Sequence, residues 1–211
     1  MKKKALIFDF DGTVVDSMTR LTDVAATVMS RYFSLPIAEA KRLYQLTSGL
    51  PFNEQLSTLY PGNPDNEKAA DTFESTKRIH YFEEPLFEDA LETLIHLKEK
   101  GYFLAVSSSN DQHLVEAFVK QKNLPFDVAL GWTSATFGKG KPHFQYLQKQ
   151  NAFADSDMVF IGDSLKDAER ALDCGIDFIG KTGMFDQKEF LAQFPQITTI
   201  SALSELKELF S

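Results

Sequence analysis

The stretch ALIFDFDGTVVDS, residues 5–17, decides how the rest of the chain is read. Four apolar residues, Ala5 to Phe8, run directly into two aspartates, Asp9 and Asp11, and then into Gly12-Thr13. The apolar run has strand length and lacks polar alternation, as in a strand covered on both faces. In an extended segment residues i and i+2 project to the same side, so Asp9 and Asp11 leave the strand end together. Ligands of parallel α/β sheets bind beyond the carboxyl ends of the strands. Two neighbouring like charges there are costly unless a cation or a shared proton offsets them.

Outward from this stretch, strand-length apolar runs recur at residues 102–106, 128–130, 158–161 and 176–179. Between them lie helical patterns. One covers residues 91–97 and stops at Gly101, one covers 114–119, and one covers 168–172 before Gly175. The alternation predicts an α/β protein with a Rossmann-like, doubly wound parallel sheet. Residues 18–85 break the rhythm, with no convincing strand and four helical segments at 21–32, 37–46, 52–59 and 67–81. The expected organisation is a core of residues 1–16 and 86–211, with a small all-helical domain of residues 17–85 inserted in it.

The net charge of −8 disfavours nucleic acid and anionic lipid surfaces as partners. The one cysteine, Cys174, excludes an intrachain disulfide. No apolar run reaches the length of a signal h-region or a membrane span, so a cytoplasmic setting is expected.

Further polar groups follow the other strands. The second ends in Ser107-Ser108-Ser109-Asn110, and the fourth in Gly162-Asp163-Ser164, with Asp167 close behind. Gly138-Lys139-Gly140-Lys141-Pro142 precedes a helical stretch. Carboxylates that leave water positions open suit Mg²⁺. Lysine, hydroxyl groups and helix-start N–H groups suit a phosphoryl group. Thr13-x-x-Asp16 and Ser164-x-x-Asp167 also match a capping box, a purely structural use of both aspartates. His80, His96, His113 and His143 lack metal-ligand spacing and read as surface or helix residues.

Four motifs stand in order: Asp9-Phe10-Asp11-Gly12-Thr13, Ser107 after an apolar strand, Lys141-Pro142, and Gly162-Asp163-Ser164-Leu165-Lys166-Asp167. In this the chain resembles the haloacid dehalogenase superfamily, in its phosphoglycolate-phosphatase-like and β-phosphoglucomutase-like branch, whose members carry a helical cap. The resemblance implies a Mg²⁺-dependent phosphatase acting on a small phosphorylated metabolite. It gives Asp9 as the nucleophile, forming an aspartyl-phosphate, and Asp11 as the acid/base. Mg²⁺ would take the carboxylates of Asp9 and Asp163 and the backbone carbonyl of Asp11. Ser107 would bind phosphoryl oxygens, with Ser108 or Ser109 serving instead if the strand ends later. Lys141 would neutralise charge, with Lys139 competing for that role, and Asp167 would support the site from behind.

Within the helical segment, Gly49, Leu50 and Phe52 resemble the cap loop that faces substrate. Sugar-phosphate mutases of the superfamily tend to have arginine at the position of Phe52, which favours a phosphatase over a mutase. A phosphonate hydrolase would need a cap lysine such as Lys41 or Lys77. A dehalogenase is disfavoured, since those relatives need neither Mg²⁺ nor Asp11. A non-catalytic phosphate-binding module would be expected to lack Asp9, Asp11 or Asp163. The assembly is left open between monomer and homodimer.

Overall fold

The computed structural model describes residues 3–211. The chain forms two compact units, one holding the segment up to Val15 together with Leu86–Ser211, the other Asp16–Pro85. The first is an α/β unit. Its six strands are β1 (Ala5–Phe8), β2 (Phe103–Asp111), β3 (Val128–Trp132), β4 (Met158–Gly162), β5 (Asp177–Lys181) and β6 (Thr198–Ile200). They form one sheet in the order β3-β2-β1-β4-β5-β6, with all pairings parallel. The order reverses at β1, so the strand that carries Asp9 sits at the switch point, where the crevice of such sheets lies.

The second unit contains α1 (Met18–Phe33), α2 (Ile37–Leu46), α3 (Phe52–Leu59) and α4 (Asn66–Ile79). The remaining helices return to the first: α5 (Ala90–Glu99), α6 (Gln112–Gln121), α7 (Lys141–Asn151), α8 (Leu165–Leu172), α9 (Gln187–Gln193) and α10 (Leu206–Leu209). The expected doubly wound sheet with an all-helical insert is therefore what forms. Three elements leave no clear trace in the sequence pattern, among them the four-residue α10. β6 is three residues long, and α9 opens on Asp186-x-x-Glu189, a capping box in which each side chain accepts from the other residue's backbone N–H.

Each unit buries its own apolar set. On one sheet face Ala5, Ile7, Ala105, Met158 and Phe160 pack with Phe144 and Leu147 of α7, Ala168 and Ala171 of α8, and Phe190 of α9. Alternation sends Leu6, Phe8, Leu104 and Val106 to the other face, and all four are fully buried. The helical unit closes around Leu21, Ala25, Met29, Ala40, Tyr44, Phe52, Leu56 and Phe73. No helix among the described residues is long and apolar enough to cross a membrane.

The chain leaves β1 through a tight turn. The N–H groups of Val14 and Val15 both donate to the Phe10 carbonyl, and Gly12 takes φ 76°, which suits glycine. Val15 then bridges Leu86 in antiparallel fashion, and Phe87 N–H donates to Val14 O at 3.2 Å. One residue further out, Asp16 N–H donates to Pro85 O at 2.9 Å. Asp16 is exposed and follows no capping box, since the N-cap of α1 is Ser17.

Candidate active site

Parallel register places Phe8 opposite Val106 of β2 and Ile161 of β4, so the residues that follow meet at one sheet edge. Asp9 and Ser107 lie on the same side, and Asp163 follows directly after β4. Asp9, Asp163 and Asp167 are all buried, and carboxylate oxygens of the three lie within 4.8 Å of one another. The N-cap Ser164 turns Asp167 back over this group. Its Oγ accepts from Asp167 N–H and donates to Asp167 Oδ2 at 2.7 Å. Gly162 makes the approach possible, since a Cβ there would stand 2.9 Å from both Cβ and Oδ2 of Asp167.

The cation that answers this cluster is Lys139, which corrects the expectation for Lys141. Lys139 Nζ lies 2.8 Å from Asp9 Oδ1 and 2.6 Å from Asp167 Oδ1, with its side chain 5% exposed. Lys141 is the first residue of α7 and is exposed. Pro142 fixes the helix start, because its ring suits only the first turn. Gly140, at φ 99°, reverses the chain just before the helix, so the lysine ahead of it is sent inward and the one after it outward.

Three buried carboxylates against Lys139 and Arg170, the latter 3.4 Å from Asp167 Oδ1, leave the cluster short of positive charge. Burial, with the neighbouring Asp163 and Asp167, raises the Asp9 carboxyl well above its usual range against the pull of Lys139. Burial and Asp167 push Asp163 up to about 7. Burial also opposes charge on Asp167, but Lys139 and Arg170 outweigh it and hold that carboxyl low. Lys139 is held above its usual range because Asp167 and Asp9 overcome the cost of its burial. Asp163 Oδ2 is buried with no hydrogen-bond partner among the described residues. An orphaned carboxylate oxygen beside two more carboxylates is a donor set suited to a hard divalent cation.

Three residues near this edge have no role in the motifs. Asn110 Nδ2 donates to Asp11 Oδ2 at 2.6 Å, which fixes the carboxyl orientation. Lys181, at the end of β5, is buried, with Nζ 3.3 Å from Gly12 O and 3.4 Å from the centre of the Phe87 ring. His143 is fully buried between Ser107 and Gly131. The signal for Lys139 and His143 lay in Pro142, which places a helix start and hence the direction of its neighbours.

Ser107 is buried in β2, its hydroxyl 2.9 Å from His143 Nδ1. Ser108 Oγ accepts from Asn110 N–H at 3.1 Å. The strand runs on to Asp111 instead of ending at residue 106, with its register against β3 shifting between Ser107 and Asp111.

In the helical unit, Gly49 and Leu50 are half-buried in the loop between α2 and α3. Phe52, expected to face substrate, is instead turned into the core of its own unit. It stacks on Phe73 at 4.2 Å between ring centres, inside that unit's core. As the first residue of α3 its ring turns toward α4, and the 4% left exposed is too little to line a pocket.

With this geometry in place, comparisons with known proteins converge. The family model described as haloacid dehalogenase-like hydrolase matches residues 6–181. A Dickeya dadantii protein named "Probable phosphatase IndB" is 27% identical, over 92% of this chain and 88% of that protein. A Haemophilus influenzae phosphoglycolate phosphatase is 29% identical over 85% of each. Among solved structures, a haloacid dehalogenase-like hydrolase from Streptococcus pneumoniae superposes with TM-score 0.82 over 99% of both chains at 23% identity, a likeness of fold.

Proposed function

The chain belongs to the haloacid dehalogenase-like hydrolase family, and from that premise we propose a Mg²⁺-dependent phosphatase that hydrolyses a small phosphorylated metabolite through an aspartyl-phosphate on Asp9. The observation that carries this reading is the buried trio Asp9, Asp163 and Asp167, with one lysine between two of them and one orphaned oxygen on Asp163. The relatives named as phosphoglycolate phosphatases favour a small phosphorylated acid as substrate. The setting we assign is the cytoplasm.

Asp9 and Asp163, with the backbone carbonyl of Asp11, are the groups that would hold Mg²⁺. Asp167 stays behind them, because its oxygens already serve Lys139 and Ser164. Bound there, the ion would offset the carboxylate charge and polarise the phosphoryl group. Lys139 engages Asp9 Oδ1 and leaves Oδ2 to attack phosphorus. As the P–O bond to the leaving group breaks, Asp11 protonates the departing oxygen. Asn110 donates to Asp11 Oδ2, so the transferable proton sits on Oδ1. Asp11 then takes a proton from water, which attacks the same phosphorus and releases Asp9. Water is preferred to a sugar hydroxyl as acceptor, because residues 48–52 supply no cation to hold a bisphosphate.

Phosphate release from a panel of phosphorylated metabolites tests the reading. Chelator-treated protein should be inactive and Mg²⁺ should restore turnover, with one ¹⁸O from labelled water in each phosphate released. Full turnover without metal would sink the metal site. Isomerised sugar phosphate formed faster than free phosphate would replace the phosphatase with a mutase. Asp9→Asn should lower turnover to about a hundredth or less with the fold intact, the scale on which a lost nucleophile acts.

A further inference from the structure

His143 stands in the first turn of α7, fully buried, with both ring nitrogens engaged. Nε2 is 3.0 Å from the Gly131 carbonyl of β3, and Nδ1 is 2.9 Å from Ser107 Oγ of β2. A carbonyl can only accept, so Nε2 carries a proton. Burial holds the imidazole down to about 4, with Lys139 and Arg170 adding to that effect against the Gly131 carbonyl, so the ring has no second proton near neutral pH. Nδ1 is then a bare acceptor, and the Ser107 hydroxyl must donate to it. The one proton Ser107 owns points at histidine, and only lone pairs remain for anything else.

A phosphoryl dianion also brings only lone pairs. Ser107 can meet it in two ways. Its hydroxyl can rotate, which strands a buried Nδ1 without a hydrogen-bond partner. Alternatively Nδ1 gains a proton and donates to Ser107 Oγ, which frees the hydroxyl to donate onward. The second route keeps every buried group paired, and the incoming negative charge favours it.

We propose that His143 is a positioning residue whose protonation reverses the polarity of the Ser107 hydroxyl, so that binding a phosphoryl dianion at Ser107 is coupled to uptake of one proton by His143. The inference rests on the phosphatase reading for the anion that occupies the site. The charged groups that face the ring are Lys139, from the loop before α7, and Arg170 of α8. Lys139 is itself committed to Asp9 and Asp167. The Phe137 ring lies against the imidazole, 4.9 Å between centres, and Gly131 presents its carbonyl. No carboxylate on these elements contacts the ring among the described residues, so the anion would supply the negative charge.

Tungstate, a dianion throughout the neutral range, is the probe. Calorimetric titration of the Mg²⁺-loaded full chain in buffers of different ionisation heat counts protons taken up per anion bound. The wild type should take up about one proton more than His143→Gln at pH near 7. Ring ¹⁵N shifts of the wild type need no variant. They should report a single proton, on Nε2, in the free protein and protons on both nitrogens with tungstate bound. A ring that stays neutral in the complex, equal uptake in wild type and variant, or no tungstate binding each overturns the proposal. Phosphate release by the wild type, measured alongside, separates that result from failure of the phosphatase reading.

Discussion

Lys139 and Lys141 carry the same charge two residues apart and meet opposite environments. Lys139 is locked between Asp9 and Asp167, whereas Lys141 meets solvent. Lys139→Met should abolish turnover and cost about 3–5 kcal/mol of stability, since it strands buried carboxylates. Lys141→Met should leave turnover within about twofold and stability within about 0.5 kcal/mol, as surface substitutions do. Phosphate-release assays and urea unfolding on both variants check this, and the reverse ranking would return the role to Lys141. His143 gives the pH counterpart. Its imidazole titrates at about 4 in the fold against 6.5 in an unfolded chain. As pH falls below 6.5 the unfolded state binds a proton that the native state refuses, so stability is lost down to about 4. The full loss is roughly 3 kcal/mol. The raised carboxyls of Asp9 and Asp163 act in the opposite sense, so the comparison must be with a variant. Metal-free wild type, unfolded in urea at pH 7 and about 4.5, should lose more stability than His143→Gln. An equal loss in both would remove His143 as the cause.

At the scale of elements, β4 and α8 meet through a contact that tolerates no added carbon. A Cβ on Gly162 would press on Asp167 at 2.9 Å, and Asp167 can yield only by leaving Lys139 and Ser164. Gly162→Ala should therefore cut turnover by about a hundredfold, the scale of an ångström's misplacement, while far-UV dichroism stays unchanged. An active variant would show that Asp167 is dispensable. This also marks where sequence is informative. The alternation of apolar runs and helical patterns gave the sheet, because its inner strands are buried on both faces and leave an unbroken apolar trace. β6 is too short to leave one. β2 reads as ending at residue 106 because Ser107, Ser108 and Asn110 look like loop, yet each is paired in the extended strand: Ser107 with His143 of α7, Ser108 with the Asn110 N–H, and Asn110 with Asp11 beyond β1. The three aspartates were legible as a motif. Which lysine serves them depends on where α7 begins, and the inward turn of Phe52 is hidden in the sequence because helix phase, not sequence position, decides which way a ring points.

For the whole molecule, the consequence lies in how the chain enters and leaves the helical unit. Val15 with Leu86, and Asp16 with Pro85, join the two crossings into a short antiparallel stem. To the α/β unit the roughly 70 intervening residues are one long hairpin loop, topologically equal to a tight turn. Loop-closure entropy grows only with the logarithm of length, so the insert costs the core about 2 kcal/mol more than a six-residue loop would. It repays this with an apolar core of its own. A chain in which Asp16–Pro85 is replaced by Asn-Gly, a dipeptide that suits a two-residue hairpin, should fold and unfold cooperatively by thermal dichroism. A chain without a cooperative transition would mean that the stem needs the helices to hold it shut. If the stem suffices, the α/β unit is a socket into which helical modules of different length can be spliced at Val15 and Leu86 without disturbing the strand register that carries Asp9.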